Sequence, residues 1–112
     1  MLTATNRSNI KISKEIELKR FSEKTSRFIK EFNTIFLYGE LGVGKTTFAK
    51  YLINNLQKKK ECLNIGLFED DDVISIIEWP EKVHFKPKKR IEIYFKYFDN
   101  YNSRLLKIKF FG

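Results

Sequence analysis

The sequence predicts a small α/β fold: a shortened central sheet flanked by helices, with a β-hairpin at its C-terminal end. Three observations carry that expectation. Thr34-Ile35-Phe36-Leu37-Tyr38 is a nearly continuous apolar run of β-formers, the pattern of a strand covered on both faces. It leads through a glycine-rich stretch into a segment whose apolar residues, Phe48, Leu52 and Leu56, recur at helical spacing. Near the C-terminus two alternating runs, Arg90 to Tyr97 and Arg104 to Phe110, flank the turn-rich stretch Phe98 to Ser103.

Each element follows in chain order. Met1 to Asn9 is polar and predicts a frayed N-terminus. Ile10, Ile12, Ile16 and Leu18 alternate with polar residues, with a break at Ser13-Lys14, and predict a strand over 10–18. Ser22 suits a helix N-cap, although Thr25 stands where a Glu or Gln would complete a capping box. Phe21, Thr25, Phe28, Ile29 and Phe32 then mark an amphipathic helix from Ser22 to Glu31, stopped at Asn33. Thr34 to Tyr38 is the next strand, and Lys45 to about Lys58 the next helix. Lys58-Lys59-Lys60 places positive charge at the negative end of that helix's dipole. Val73 to Ile77, bounded by Asp70-Asp71-Asp72 and Trp79-Pro80, reads as a second buried strand. The hairpin pairs Ile91, Ile93, Phe95 and Tyr97 with Leu106, Ile108 and Phe110. The order is strand, helix, strand, glycine-rich loop, helix, strand, hairpin, and it fits one domain over 1–112.

Composition narrows the function classes. Lys and Arg number 22 against 14 Asp and Glu, a net charge of +8, which favours an anionic partner; a solvated lysine-rich surface accounts for the same numbers. One cysteine, Cys62, excludes an internal disulfide. With His84 the only histidine, a His/Cys zinc site is excluded and Cys62 reads as a small apolar residue. No apolar stretch approaches the ~20 residues needed to span a bilayer. Met1 to Ser13 lacks the apolar core of a signal peptide, so a cytoplasmic setting is expected.

One motif carries chemistry. Gly39-Glu40-Leu41-Gly42-Val43-Gly44-Lys45-Thr46 matches G-x-x-x-x-G-K-S/T at every fixed position, with a strand before it and a helix after it. The fold is therefore P-loop NTPase-like, and the ligands expected are ATP and Mg2+. Glycines allow the backbone to form a nest of N–H groups around phosphate oxygens. The helix beginning near Lys45 directs its positive dipole end at the same point. Lys45 supplies a mobile charge for the β- and γ-phosphates, Thr46 a hydroxyl ligand for Mg2+, and Thr47 a hydrogen bond near the α-phosphate. A P-loop metal also needs an acid at the end of a neighbouring apolar strand. Ile74-Ser75-Ile76-Ile77-Glu78 supplies one, which makes Glu78 the candidate metal partner of Thr46. Asp70 to Asp72 reads as a turn, and the basic cluster Lys86, Lys88, Lys89 and Arg90 as a solvated loop.

These residues resemble a specific family. Gly39 to Phe48 looks like the G-D/E-L-G-x-G-K-T-T-F stretch of TsaE (also called YjeE), the bacterial ATPase of tRNA threonylcarbamoyladenosine synthesis. Ile77-Glu78-Trp79-Pro80-Glu81 is similar to its I-E-W-P-E motif, Leu63 to Leu67 to the approach to that strand, and Arg104 to Ile108 to its closing R-x-I/L-x-I strand. The resemblance implies a compact P-loop fold that binds Mg-ATP. It implies TsaB- and TsaD-type partners, a role in resetting their complex, and only indirect contact with tRNA. By the same resemblance Gly42 to Thr47 hold phosphate and metal, Glu78 serves the metal, and Trp79 and Pro80 shape the site.

The sequence also departs from the family. Only Glu61 to Asp72 lie between the P-loop helix and the Val73 strand, and neither S-P-T-F/Y nor H-x-D-L-Y-R occurs. The Asp of the second motif supports water attack in the family, and no catalytic residue is assigned here in its place. The missing stretch also implies a narrower sheet with an exposed edge. Three functions remain open: a reduced ATPase of the modification complex, a nucleotide-binding or interaction protein without hydrolysis, and, less well supported, a small phosphotransferase.

Overall fold

The computed structural model describes residues 4–40, 42–63 and 74–112. Their elements are β1 (Ala4–Ile12), α1 (Glu15–Ser26), α2 (Ile29–Phe32), β2 (Thr34–Tyr38), α3 (Lys45–Leu63), β3 (Ser75–Ile77), a short 3-10 turn (Pro80–Lys82), β4 (Arg90–Phe98) and β5 (Ser103–Phe111). The strands form one mixed sheet in the order β1-β5-β4-β2-β3. β2 runs parallel to both β3 and β4, whereas β5 is antiparallel to β4 and to β1. This is the α/β architecture and element order that the sequence predicts.

Packing explains the apolar pattern. Ile35 and Leu37 of β2, Ile91, Ile93 and Phe95 of β4, and Leu106 and Ile108 of β5 lie on one face of the sheet and form the core with Phe21, Phe48 and Leu52 from α1 and α3. The Phe48 ring sits between Phe21 (centroids 5.4 Å apart) and Phe95 (5.9 Å). Phe36, on the opposite face of β2, is also fully buried. The 3-10 turn packs against β2 and the Lys86 ammonium lies 5.9 Å from the Phe36 ring, so β2 is covered on both sides and reads as a continuous apolar run.

The structure moves several boundaries. The polar N-terminus is not frayed from Ala4 onward: β1 pairs with β5 from Ala4↔Phe111 to Ile12↔Arg104. An outer strand needs only its backbone groups matched on one side, so polar composition does not oppose it. The strand expected over 10–18 stops at Ile12, and α1 begins at Glu15, seven residues before the expected cap at Ser22. The Glu17 carboxylate accepts the backbone N–H groups of Ser13 (3.0 Å) and Lys14 (2.9 Å), which does the capping work at this end. Ser22 is instead buried within the helix, where its hydroxyl donates to the Lys19 carbonyl at 2.6 Å and accepts from the Asn55 amide at 3.0 Å. The expected single helix to Glu31 is divided at Arg27–Phe28. Asn33 does stop it, in the left-handed conformation with φ 63° and its N–H on the Ile29 carbonyl.

α3 continues through Lys58–Lys60 to Leu63. β3 covers Ser75–Ile77 rather than 73–77, with Val73 outside the described residues, and it is a partly exposed edge strand rather than a buried one. Among the described residues it is paired only to β2. The hairpin holds as expected. Its turn takes Asp99, Asn100 and Tyr101 through positive φ (57°, 52° and 70°), closed by the Asn102 N–H on the Asp99 carbonyl at 3.0 Å.

Candidate functional site

The chain leaves β2 at Gly39, where φ is +146°. A Cβ there would lie 2.7 Å from the Phe95 carbonyl oxygen and 3.0 Å from both the Phe95 Cβ and the Val43 Cγ1. β4 passes so close that only glycine fits. Gly42 (φ +81°) and Gly44 (φ +114°) bend the loop back toward α3. The Val43 N–H donates to the Glu40 carbonyl (3.2 Å), the Phe48 N–H to the Gly44 carbonyl (2.9 Å), and the buried Val43 side chain anchors the loop in the core. The first turn of α3 carries no acidic residue, so its positive end is available to an anion.

Lys45 is 5% exposed. Its ammonium donates to the Gly39 carbonyl at 2.6 Å and to the Glu78 carbonyl at 3.4 Å, and it lies 4.2 Å from the centre of the Trp79 ring. The Thr46 hydroxyl donates to the Glu78 carboxylate at 2.6 Å. The parallel pairing of β3 with β2 (Phe36↔Ile77) carries Glu78 and Trp79 to the same end of the sheet as the P-loop. Thr46 and Glu78, expected together from sequence, are in contact.

Thr47, Gly42 and Gly44 open on the other side into a cleft of about 170 Å³, walled by Ile12, Lys14, Glu15 and Leu18 and by Arg104. Gly39, Glu40, Gly42, Val43, Gly44, Lys45, Thr46 and Thr47 therefore form one loop and its helix start; Leu41 lies outside the described residues. So does Asp70-Asp71-Asp72. Among the described residues no group of three His, Cys, Asp or Glu side chains gathers, so a metal reading rests on Thr46 and Glu78.

Of two further contributors, the family resemblance pointed to Trp79 and sequence reasoning missed Arg104. Trp79 stacks on the P-loop lysine, a contact that only the β3 register creates. Arg104 is the second residue of β5, its guanidinium donating to the Val43 carbonyl at 3.4 Å and lying 5.3 Å from the Tyr97 ring. An arginine heading a closing strand was the one signal available for it.

The basic cluster near Pro87 is divided. Arg90 and Lys86 meet Glu92, which is 2% exposed, at 2.7 Å and 3.7 Å, and the Tyr94 hydroxyl donates to the same carboxylate. Burial pushes the Glu92 carboxyl up, but the Tyr94 and Arg90 hydrogen bonds and the Lys86 charge outweigh it and leave the group below its ordinary range. Burial, then the Glu92 hydrogen bond, push the Tyr94 phenol up. Lys88 and Lys89 are exposed.

Residues 12–65 match the model of the family described as threonylcarbamoyl adenosine biosynthesis protein TsaE. No curated protein matches the chain. Among solved structures the chain resembles YdiB of Bacillus subtilis, with a TM-score of 0.72 and 20% identity over 100% of this chain and 88% of that one. That likeness establishes the α/β fold. The matched family segment contains the whole P-loop and ends before Glu78, whose place in the site rests on its contact with Thr46. The P-loop segment of this chain, residues 12–65, is thus similar to the TsaE family of threonylcarbamoyl adenosine biosynthesis proteins.

Proposed function

We propose that this chain binds Mg-ATP and serves as the nucleotide-dependent component of tRNA threonylcarbamoyladenosine synthesis, in the cytoplasm and with TsaB- and TsaD-type partners. The observation that carries the reading is the Thr46–Glu78 hydrogen bond beside a buried Lys45. A P-loop needs a hydroxyl and an acid on one metal and a lysine on the phosphates, and these side chains converge here. The donor set suits a phosphate chain. The Lys45 ammonium already rests on an oxygen, the Gly39 carbonyl, which phosphate oxygens would replace. The backbone N–H groups of Gly42, Val43 and Gly44 would cradle the phosphates, with Thr46 and Glu78 holding Mg2+ directly or through water. The cleft past Thr47, with apolar Ile12 and Leu18 and cationic Lys14 and Arg104, would take the nucleoside end. Bound Mg2+ would neutralise charge on the phosphates. The chain's own residues orient the nucleotide, and Trp79 and Val43 keep the lysine and loop in place.

A second reading is nucleotide binding without hydrolysis. The absence of H-x-D-L-Y-R from the sequence favours it. Calorimetric titration of Mg-ATP, with and without the two partners, followed by phosphate release on the same samples, separates the two. Binding and release, both lost in Lys45→Ala, support a working ATPase. Binding without release supports the second reading. Absence of any binding refutes both.

A further inference from the structure

The face of the sheet turned away from α1 and α3 lies outside the P-loop site. Strand alternation places Arg90, Glu92, Tyr94, Lys96 and Phe98 of β4 there, beside Leu105, Lys107 and Lys109 of β5 and Lys11 of β1. Ring contacts confirm the shared face. Tyr38 and Tyr94 stack at 4.5 Å, with Lys86 5.2 Å from the first ring and Lys109 4.9 Å from the second. Arg90 lies 4.0 Å from the Phe111 ring and Lys11 5.2 Å from the Phe98 ring. Lys11, Lys96 and Lys107 are exposed, and Phe98 is 46% exposed.

The charge on this face is one-sided. Among the described residues of this face, Lys11, Arg90, Lys96, Lys107 and Lys109 of the strands and Lys86 of the loop before β4 stand against one strand carboxylate, Glu92, which is buried and already bridged to Arg90 and Lys86. This surface therefore holds a large part of the chain's net +8. The Phe98, Tyr38, Phe111 and Tyr94 rings lie against the cationic heads of Lys11, Lys86, Arg90 and Lys109, respectively. Lys107 and Lys109, two residues apart, are separated by about 7 Å along β5. An open aromatic ring beside a row of cations is the combination that binds single-stranded nucleic acid, with phosphates on the cations and an unstacked base on the ring. An acidic protein would match the charge but would leave Phe98 without a flat partner.

We propose that this face is a binding surface for a nucleic-acid strand, with Lys96, Lys107 and Lys109 contacting successive phosphates and Phe98, flanked by Lys11, stacking on a base. The proposal goes beyond the nucleotide reading and does not depend on it. Neither Lys96, Lys107 nor Phe98 belongs to the P-loop site.

The test is fluorescence anisotropy of the full chain with a labelled 12-nucleotide RNA and the DNA of the same sequence, without nucleotide, over a range of salt. The expected result is binding whose log K falls with log salt at a slope near −2 to −3, as for roughly three or four phosphates on a single strand. Lys96→Gln/Lys107→Gln should lower affinity at least tenfold and flatten the slope by roughly 1.4. Phe98→Ala, which changes no charge, should lower affinity roughly five- to hundredfold. Mg-ATP titration and thermal melting show that each variant is folded. Tighter binding of RNA than DNA would identify RNA as the strand, and equal binding would identify any single strand; both support the proposal. No binding at low salt, unchanged affinity in the lysine variant, or a polyglutamate of equal charge competing as well as RNA would overturn it.

Discussion

Replacing Gly39 by alanine should destabilise the protein more than the same change at Gly42, although both are P-loop glycines at positive φ. At Gly42 (φ +81°) a Cβ meets only the Tyr97 hydroxyl, at 3.5 Å, an ordinary contact. The cost there is conformational, about 1–3 kcal/mol for a non-glycine residue in a sparsely populated region. At Gly39 (φ +146°) the same conformational cost applies. The Cβ also lies 2.7 Å from the Phe95 carbonyl oxygen, a backbone atom of central strand β4 that cannot rotate away. Forcing volume into a packed site adds about 1–3 kcal/mol. The total of roughly 2–6 kcal/mol is a large part of the 5–15 kcal/mol typical of a domain. At about 4 °C per kcal/mol for a chain of this size, Gly39→Ala should melt roughly 4–12 °C below Gly42→Ala. Thermal unfolding followed by circular dichroism reads the difference directly. Equal melting temperatures, or the reverse order, would refute the argument that β4 approaches the loop at Gly39.

Three further outcomes are expected. Thr46→Val and Glu78→Gln should each weaken the Mg2+ enhancement of nucleotide binding by roughly 10- to 100-fold, and the double variant should be little worse than either, because one contact is lost in all three; additive losses in calorimetry would contradict a shared site. Glu92 has a folded-state pKa below its unfolded one, so the folded state binds fewer protons and stability is fully present above the ordinary value of 4.5. That contribution should fade as pH falls below 4.5, and urea unfolding of Glu92→Gln should show a shallower loss over that window; parallel curves would remove Glu92 as the cause. Phe48→Ala, which empties a fully buried site between Phe21 and Phe95, should cost about 3–5 kcal/mol in denaturant unfolding; a loss under 1 kcal/mol would contradict its central place.

What the sequence by itself determined is local. Thr34 to Tyr38 is a strand because all but Leu37 of its residues are β-branched or aromatic, and Gly39 to Thr46 is a P-loop because its glycines stand where the backbone needs positive φ. The Ile91 and Leu106 alternations state their own period and were legible as a hairpin. Helix starts were less so. A carboxylate reaching back from Glu17 capped α1, and Ser22, a good N-cap type, was buried inside it. Tertiary structure decided the rest, because register and strand order join residues that no local rule links. Pairing with β5 turned a polar N-terminal stretch into β1. An edge position left β3 half exposed despite its apolar composition, and its parallel register brought Trp79 to Lys45 and set Glu78 against Thr46, the partner the sequence had already suggested for it. The lysines of β1, β4 and β5 are scattered through the sequence. Only sheet pairing, which sets neighbouring strands about 4.8 Å apart, gathers them on one face.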